Sequence, residues 1–211
     1  MKKIMLELFG GSCRMANEFK LLGWNSKTVD LYCISDLNKN VLDITKEDIS
    51  NLCKGIPDFI WCSPPCQAFS VSSIGKHWGG GFRAYLPISE TAILGQKLVS
   101  KCLEIISWYP KVKYAIENPR GVLRKLAIME GLSRYTVTYC QYGEKRMKPT
   151  DIWTNLKTWE PRPICYNGSP CHIAAPRGSV TGTQGFGTVY DRGKLPIELC
   201  KEIAAVVDKE I

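Results

Sequence analysis

Apolar positions along the chain recur with two periods, and stretches of each period alternate. Ile4 to Phe9 is an apolar run interrupted by Glu7, which predicts a strand. Gly10-Gly11-Ser12 turns the chain, a helical stretch runs from about Arg14 to Leu22, and Gly23 stops it. Thr28 to Tyr32 is a second short strand that carries an acid, Asp30, and residues 46–53 form a helix. Pro57 to Cys62 reads as a buried strand closed by Ser63-Pro64-Pro65, and Cys66 follows at once. From Thr91 to Trp108, apolar groups at Ile93, Leu94, Leu98, Cys102, Ile105 and Ile106 keep helical spacing until Pro110. Lys113 to Ile116 is a strand that ends in Glu117-Asn118-Pro119. Tyr135–Tyr139 and Asp151–Thr154 are further strands, and Pro196 opens a last helix to about Lys209. Strands alternating with helices predict an α/β fold with a mainly parallel, doubly wound sheet.

Two of these strand ends carry candidate chemistry. A strand, a glycine turn, a helix and a second strand with an acid form the nucleotide-binding half of a doubly wound sheet. Asp30 lies about twenty residues beyond Gly11, where an acid meets ribose hydroxyls. A tight structural turn is the plainer reading of Gly10-Gly11. The two prolines hold the chain before Cys66 extended and stiff, so the thiol stands at the carboxyl edge of the sheet, where such folds bind ligands. Its plainer reading is a buried free cysteine.

Composition narrows the setting. The 211 residues suit one domain, or one with a small appendage, and 45% hydrophobic with 23% charged residues is ordinary for a globular protein. The net charge of +8 leans towards a polyanion such as nucleic acid, and the basic groups are densest at Lys145-Arg146-Met147-Lys148. No apolar run reaches membrane-spanning length. The amino terminus is basic then apolar, but Glu7 breaks it and no small-residue cleavage site follows, so it reads as a strand and not a signal peptide. Ten cysteines without a secretory signal are expected as reduced thiols in a cytoplasmic protein.

The segments LELFGGS, TVD, SPPCQAFS, IENPRG, QYGEKRMKPTDIWTN and KLPIELCKEIA, in this order, resemble the cytosine-5 DNA methyltransferases, most of all the short phage-type members. The resemblance covers most of the chain. It implies a Rossmann-like class I methyltransferase fold with a reduced target-recognition region, S-adenosylmethionine as methyl donor and double-stranded DNA as partner. It divides the chain into a catalytic core at 1–155, a recognition region at 156–191 and a returning helix at 192–211. It makes Cys66 the nucleophile towards ring carbon 6 of cytosine and Glu117 the acid at the ring nitrogen, with Asn118 orienting Glu117 or the Cys66 loop. Phe9, Gly11, Asp30, Asp43 and Pro64 fall to the cofactor, although Asp43 could equally cap the helix at 46–53. In the segment after Phe69, expected to close over a flipped base, Lys76 and Arg83 are candidate phosphate contacts and Trp78 or Phe82 a wedge. Arg177-Gly178-Ser179 and Thr181–Gly185 read as loops that meet the DNA backbone. A monomer is expected, with a cognate restriction endonuclease as a further partner.

The chain departs from the family pattern in three places. Cys13 stands where a further glycine is usual. Arg146, Lys148 and Thr150 replace Gln-x-Arg-x-Arg, which leaves Lys148 or Arg146 to contact the cytosine carbonyl oxygen. The recognition region is very short, which predicts loose or short sequence specificity. Cys165, Cys171 and His172, with Cys140, do not match common zinc spacings, so packed thiols and no metal are expected. Rival readings are an RNA cytosine-5 methyltransferase, an amino-group methyltransferase and a DNA-binding or restriction-blocking protein without turnover. Cys66 where the amino-group enzymes carry an aromatic residue, together with Glu117, argues against the last two.

Overall fold

The computed structural model describes residues 2–71, 74–81, 84–174 and 188–211. The chain runs β1 (Ile4–Leu8), α1 (Arg14–Leu21), β2 (Asn25–Asp30), β3 (Leu37–Asn38), α2 (Lys46–Cys53) and β4 (Phe59–Cys62). A short helix and hairpin follow, α3 (Ile74–His77), β5 (Trp78–Gly79) and β6 (Leu86–Pro87). It continues through α4 (Glu90–Ser107), β7 (Lys113–Pro119), β8 (Arg134–Thr138), β9 (Pro149–Thr154), α5 (Val189–Gly193) and α6 (Ile197–Glu210).

Seven strands form one sheet in the order β3-β2-β1-β4-β7-β9-β8, with β5 and β6 paired separately. The pairs from β3 to β7 are parallel, and β9 runs antiparallel to both its neighbours. This is the Rossmann-like methyltransferase arrangement the resemblance implied. Strand order reverses between β1 and β4, and the crevice at such a reversal is the natural ligand site. The register levels the strand ends there: Leu8 pairs with both Val29 and Cys62, and Cys62 with Ile116. One residue beyond that row stand Phe9, Asp30, Ser63 and Glu117.

Side chains of each strand alternate between two cores, as the pleat dictates. Leu6, Leu8, Ile60, Cys62 and Ile116 pack on one face against Ile49 of α2 and Val99, Cys102 and Ile105 of α4. Met5, Phe59, Trp61 and Ala115 pack on the other against Phe19 of α1 and Leu199, Ile203 and Val207 of α6. Burying each of the larger side chains contributes roughly 1.5–3 kcal/mol. The last helix is tied to the start of the chain: Asp208 accepts hydrogen bonds from Trp24 Nε1 (2.8 Å) and Lys3 Nζ (3.0 Å). Among the described residues, no helix is long and apolar enough to cross a membrane.

Two helix starts bear on the site. At α2 the capping box is Thr45 with Asp48, so Asp43, exposed at the end of a 3-10 turn, is not the cap. At α1 the capping residue is Cys13, whose side chain makes no cap hydrogen bond. The carboxylate of Glu7 in β1 accepts from Ala16 N at 3.0 Å in its place. Cys13 holds φ 53°, the left-handed conformation that suits the glycine usual in the family.

Candidate active site

The loop after β4 presents Cys66 as an exposed residue at the start of a single helical turn: Phe69 N and Ser70 N both donate to the Cys66 carbonyl, at 3.0 and 3.2 Å. The segment after β7 holds that loop at both ends. Asn118, fully buried, donates from Nδ2 to the Pro64 carbonyl at 2.9 Å. Val122 N donates to the Phe69 carbonyl at 2.8 Å. A Cβ on Gly121 would stand 2.0 Å from that carbonyl oxygen, so the two loops approach at a distance only glycine permits. Asn118 therefore tethers the loop that carries Cys66. Gly121, unnoticed within the IENPRG segment, is a second positioning residue. Its only signal was a glycine two residues after the strand-end proline Pro119.

Glu117 is buried and accepts a hydrogen bond from the Tyr139 hydroxyl at 3.0 Å. Burial pushes its pKa up, against the Lys148 ammonium and the bonds from Tyr139 and Ser63, while Asp151 adds to the rise. Arg124 forms a two-pronged ion pair with Asp151, at the β9 position paired with Asn118. Lys148 is buried with φ 29°, lies 4.5 Å over the Tyr139 ring, and donates to the Arg192 carbonyl at 3.0 Å. Burial lowers its pKa, and the charges of Glu117 and Cys66 oppose that. For the Cys66 thiol, crowding by the protein raises the pKa, Lys148 lowers it and Glu117 raises it again. Cys66, Glu117 and Lys148 are thus one electrostatic group. Arg146 acts on Lys148 alone, adding to the fall in its pKa, while its guanidinium reaches the carbonyls of Asp191 and Arg192 at 3.4 Å and lies 3.6 Å from Glu144. Of the two cations considered for the cytosine carbonyl, Lys148 is the one whose charge acts on Cys66.

The glycine turn closes on the other side of the crevice. Phe9 takes φ 61° and Gly11 φ 52°, and Gly11 N donates to Asp30 Oδ2 at 3.0 Å. Asp30 Oδ1 accepts from Tyr32 N and Cys33 N at 2.8 and 3.0 Å. A Cβ on Gly11 would meet nothing nearer than the Phe9 carbonyl at 3.9 Å, so the missing side chain leaves room beside the strand ends. Tyr32 and Ile34, 90% and 96% exposed, offer apolar surface directly after the acid. Sequence reasoning stopped at Asp30 and missed them. Pro64 is buried, with its carbonyl held by Asn118 as above.

Glu7 was also missed. It is 2% exposed, and burial pushes its carboxyl up to about 8, against the Ala16 amide and Lys20. The signal was an acid inside an otherwise apolar strand.

The candidate DNA contacts fare unevenly. Lys76 is exposed on α3. Trp78 is not a wedge: it is 4% exposed, its Nε1 donates to the Ala68 carbonyl at 2.6 Å, and its ring stacks on Phe69 at 5.9 Å. An indole packed on the turn that carries Cys66 supports that turn. Phe82, Arg83, Arg177–Ser179 and Thr181–Gly185 lie outside the described residues. The structure also gathers Cys140, Cys165, Cys171 and His172 into one cluster, against the expectation from their spacing.

Residues 2–83 match the family model for C-5 cytosine-specific DNA methylases. A probable DNA (cytosine-5)-methyltransferase of Frog virus 3 (isolate Goorha) is 33% identical over 174 residues, 79% of this chain and 77% of that protein. Among solved structures, the Entamoeba histolytica methyltransferase EhMeth superposes with a TM-score of 0.51 at 14% identity, over 73% of this chain and 52% of that one. The S. pombe Dnmt2 methyltransferase gives 0.49 at 14%, over 77% and 52%. The chain therefore spans about half the length of these solved structures. With the strand order, the Cys66 loop and the viral relative in agreement, the chain belongs to the C-5 cytosine-specific DNA methylase family.

Proposed function

We propose that this protein methylates ring carbon 5 of cytosine in double-stranded DNA, with Cys66 as nucleophile and Glu117 as acid. The observation that carries this reading is the electrostatic group of Cys66, Glu117 and Lys148 on the sheet edge, beside the Gly10-Gly11 turn. S-adenosylmethionine supplies an electrophilic methyl group. The space beside Gly11, the Asp30 carboxylate and the apolar surface of Tyr32 and Ile34 fit its adenosine part. After accepting three backbone amides, Asp30 keeps about one of its roughly four lone-pair sites for a ribose hydroxyl.

Carbon 5 of cytosine is a weak nucleophile until electron density enters the ring. Cys66, as thiolate, bonds to carbon 6, and Glu117 delivers a proton to the ring nitrogen next to the amino-bearing carbon, which absorbs the electron pair displaced through carbons 5 and 4. The raised pKa of Glu117 keeps that proton in place until it is needed. Lys148 favours the thiolate. After carbon 5 has taken the methyl group, loss of its proton returns the electron pair to the ring and expels Cys66. A duplex buries the cytosine, so the base is flipped to reach Cys66. Residues 1–155 serve as the catalytic core, 156–191 as the short recognition region and 192–211 as the returning helix.

The test is mass spectrometry of nucleosides from duplex DNA after incubation with the protein and methyl-labelled S-adenosylmethionine. Label in 5-methylcytosine, lost in Cys66→Ala, is the expected result. Label on an amino group would remove the role given to Cys66, and label only in an RNA substrate would move the substrate class.

A further inference from the structure

We propose that Cys140, Cys165, Cys171 and His172 bind a structural zinc ion that fastens the recognition segment to the catalytic core. Their ligand atoms all lie within 4.8 Å of one another. A tetrahedral site with Zn–S of about 2.3 Å and Zn–N of about 2.0–2.1 Å has ligand–ligand edges of about 3.5–3.8 Å. Three edges lie within or just short of that range: 3.1 Å for Cys165 Sγ to Cys171 Sγ, 3.4 Å for Cys165 Sγ to His172 Nδ1, and 3.7 Å for Cys171 Sγ to His172 Nδ1. Three thiolates and one imidazole, without a carboxylate, select zinc over the hard cations and make a closed, four-protein-ligand site.

The backbone around the cluster is fastened independently of any ion. Cys140 lies in the 3-10 turn Tyr139–Tyr142 directly after β8. Cys165 N donates to Thr138 Oγ1 at 2.9 Å, which lays the returning chain beside the end of β8. Ile173 N donates to the Lys145 carbonyl at 2.8 Å and pins the far side of the loop. Gly168, with φ 88°, turns the chain between Cys165 and Cys171. Gln141 Nε2 donates to Cys171 Sγ at 3.5 Å, the outer hydrogen bond that steadies a metal-bound thiolate. The sequence spacing misled because one ligand comes from a different segment, so the usual paired motif never forms along the chain. Tyr139, beside Cys140, is the partner of Glu117, so the ion would hold the recognition segment in fixed relation to the acid.

The full chain, expressed in zinc-supplemented medium and purified under reducing conditions without chelator, is analysed by elemental and native mass spectrometry. One zinc per chain is expected, lost in Cys165→Ser and kept in His172→Cys. Cobalt added to the unmutated chain in place of zinc is expected to give the visible bands of a tetrahedral thiolate site, a readout that does not depend on the variants folding. Zinc absent from the unmutated protein together with no tetrahedral cobalt spectrum would overturn the proposal. So would zinc retained in Cys165→Ser, or a native Cys165–Cys171 disulfide detected by mass before and after reduction.

Discussion

Along the carboxyl edge of the sheet, the β1–β3 side and the β7–β9 side satisfy their buried polar groups over different chain distances. On the first side the partners are close in sequence: Glu7 with Ala16 N, Gly11 N with Asp30, Asp30 with Tyr32 N and Cys33 N, and Thr28 with Asp36. On the second they are far apart: Asn118 reaches back 54 residues to Pro64, and Lys148 and Arg146 reach forward 44 and 45 residues to the carbonyls of Arg192 and Asp191. Closing a long loop costs entropy before its contacts form. The polar contacts named on the first side therefore close over short loops, whereas Lys148 and Arg146 meet their carbonyls only once the chain after β9 has returned.

That contrast can be broken or sharpened by substitution. The largest effect is expected from Glu117→Gln, which keeps the shape but removes the transferable proton: turnover should fall by about 10²–10⁴. S-adenosylmethionine affinity, measured by calorimetry, should be unchanged; parallel loss of both would join the two sides. Gly121→Ala should follow, because the new Cβ collides with the Phe69 carbonyl. A cost of about 3 kcal/mol in chemical denaturation is expected, with activity falling more than cofactor binding.

On the near side, the raised pKa of Glu7 gives a defined sign. The neutral form is favoured in the fold, so the stabilisation is complete below about 4.5, declines as pH rises, and is lost by about 8. Denaturation against pH should show this decline, and Glu7→Gln should flatten it. A smaller effect is expected from Lys148→Met. Removing that charge raises the pKa of both Cys66 and Glu117, so the pH profile of turnover should move upward while melting changes little in comparison. The smallest effect belongs to Cys13→Gly, which relieves a left-handed residue and should stabilise by about 1 kcal/mol in thermal melts. A loss instead would mean that the Cys13 side chain contributes more than its backbone costs.

The same distance rule explains what could be read from the sequence. The glycine turn, the double proline before Cys66 and the strand end at Glu117 are local signals, and the strands and long helices read from the sequence formed within a few residues of where their period placed them, whereas the two-residue strands β3, β5 and β6 went unread. Strand β2 starts earlier than expected, at Asn25, because Ile4 of β1 pairs with it there. Trp78 was misread because an aromatic residue in a glycine-rich stretch resembles a wedge until the turn carrying Ala68 and Phe69 supplies a place to bury it. Tyr139 as the partner of Glu117, Gly121 against Phe69 and the gathering of Cys140 with His172 depend on segments that meet only in space. No period or spacing announces them.

The grip of Lys148 and Arg146 on the chain at Asp191 and Arg192 is made on backbone carbonyls. A carbonyl is the same whichever residue carries it. That grip is therefore set by the length and path of the stretch and not by its side chains, although Asp191 is separately held as part of the α5 capping box; a single inserted or deleted residue would shift every carbonyl out of reach.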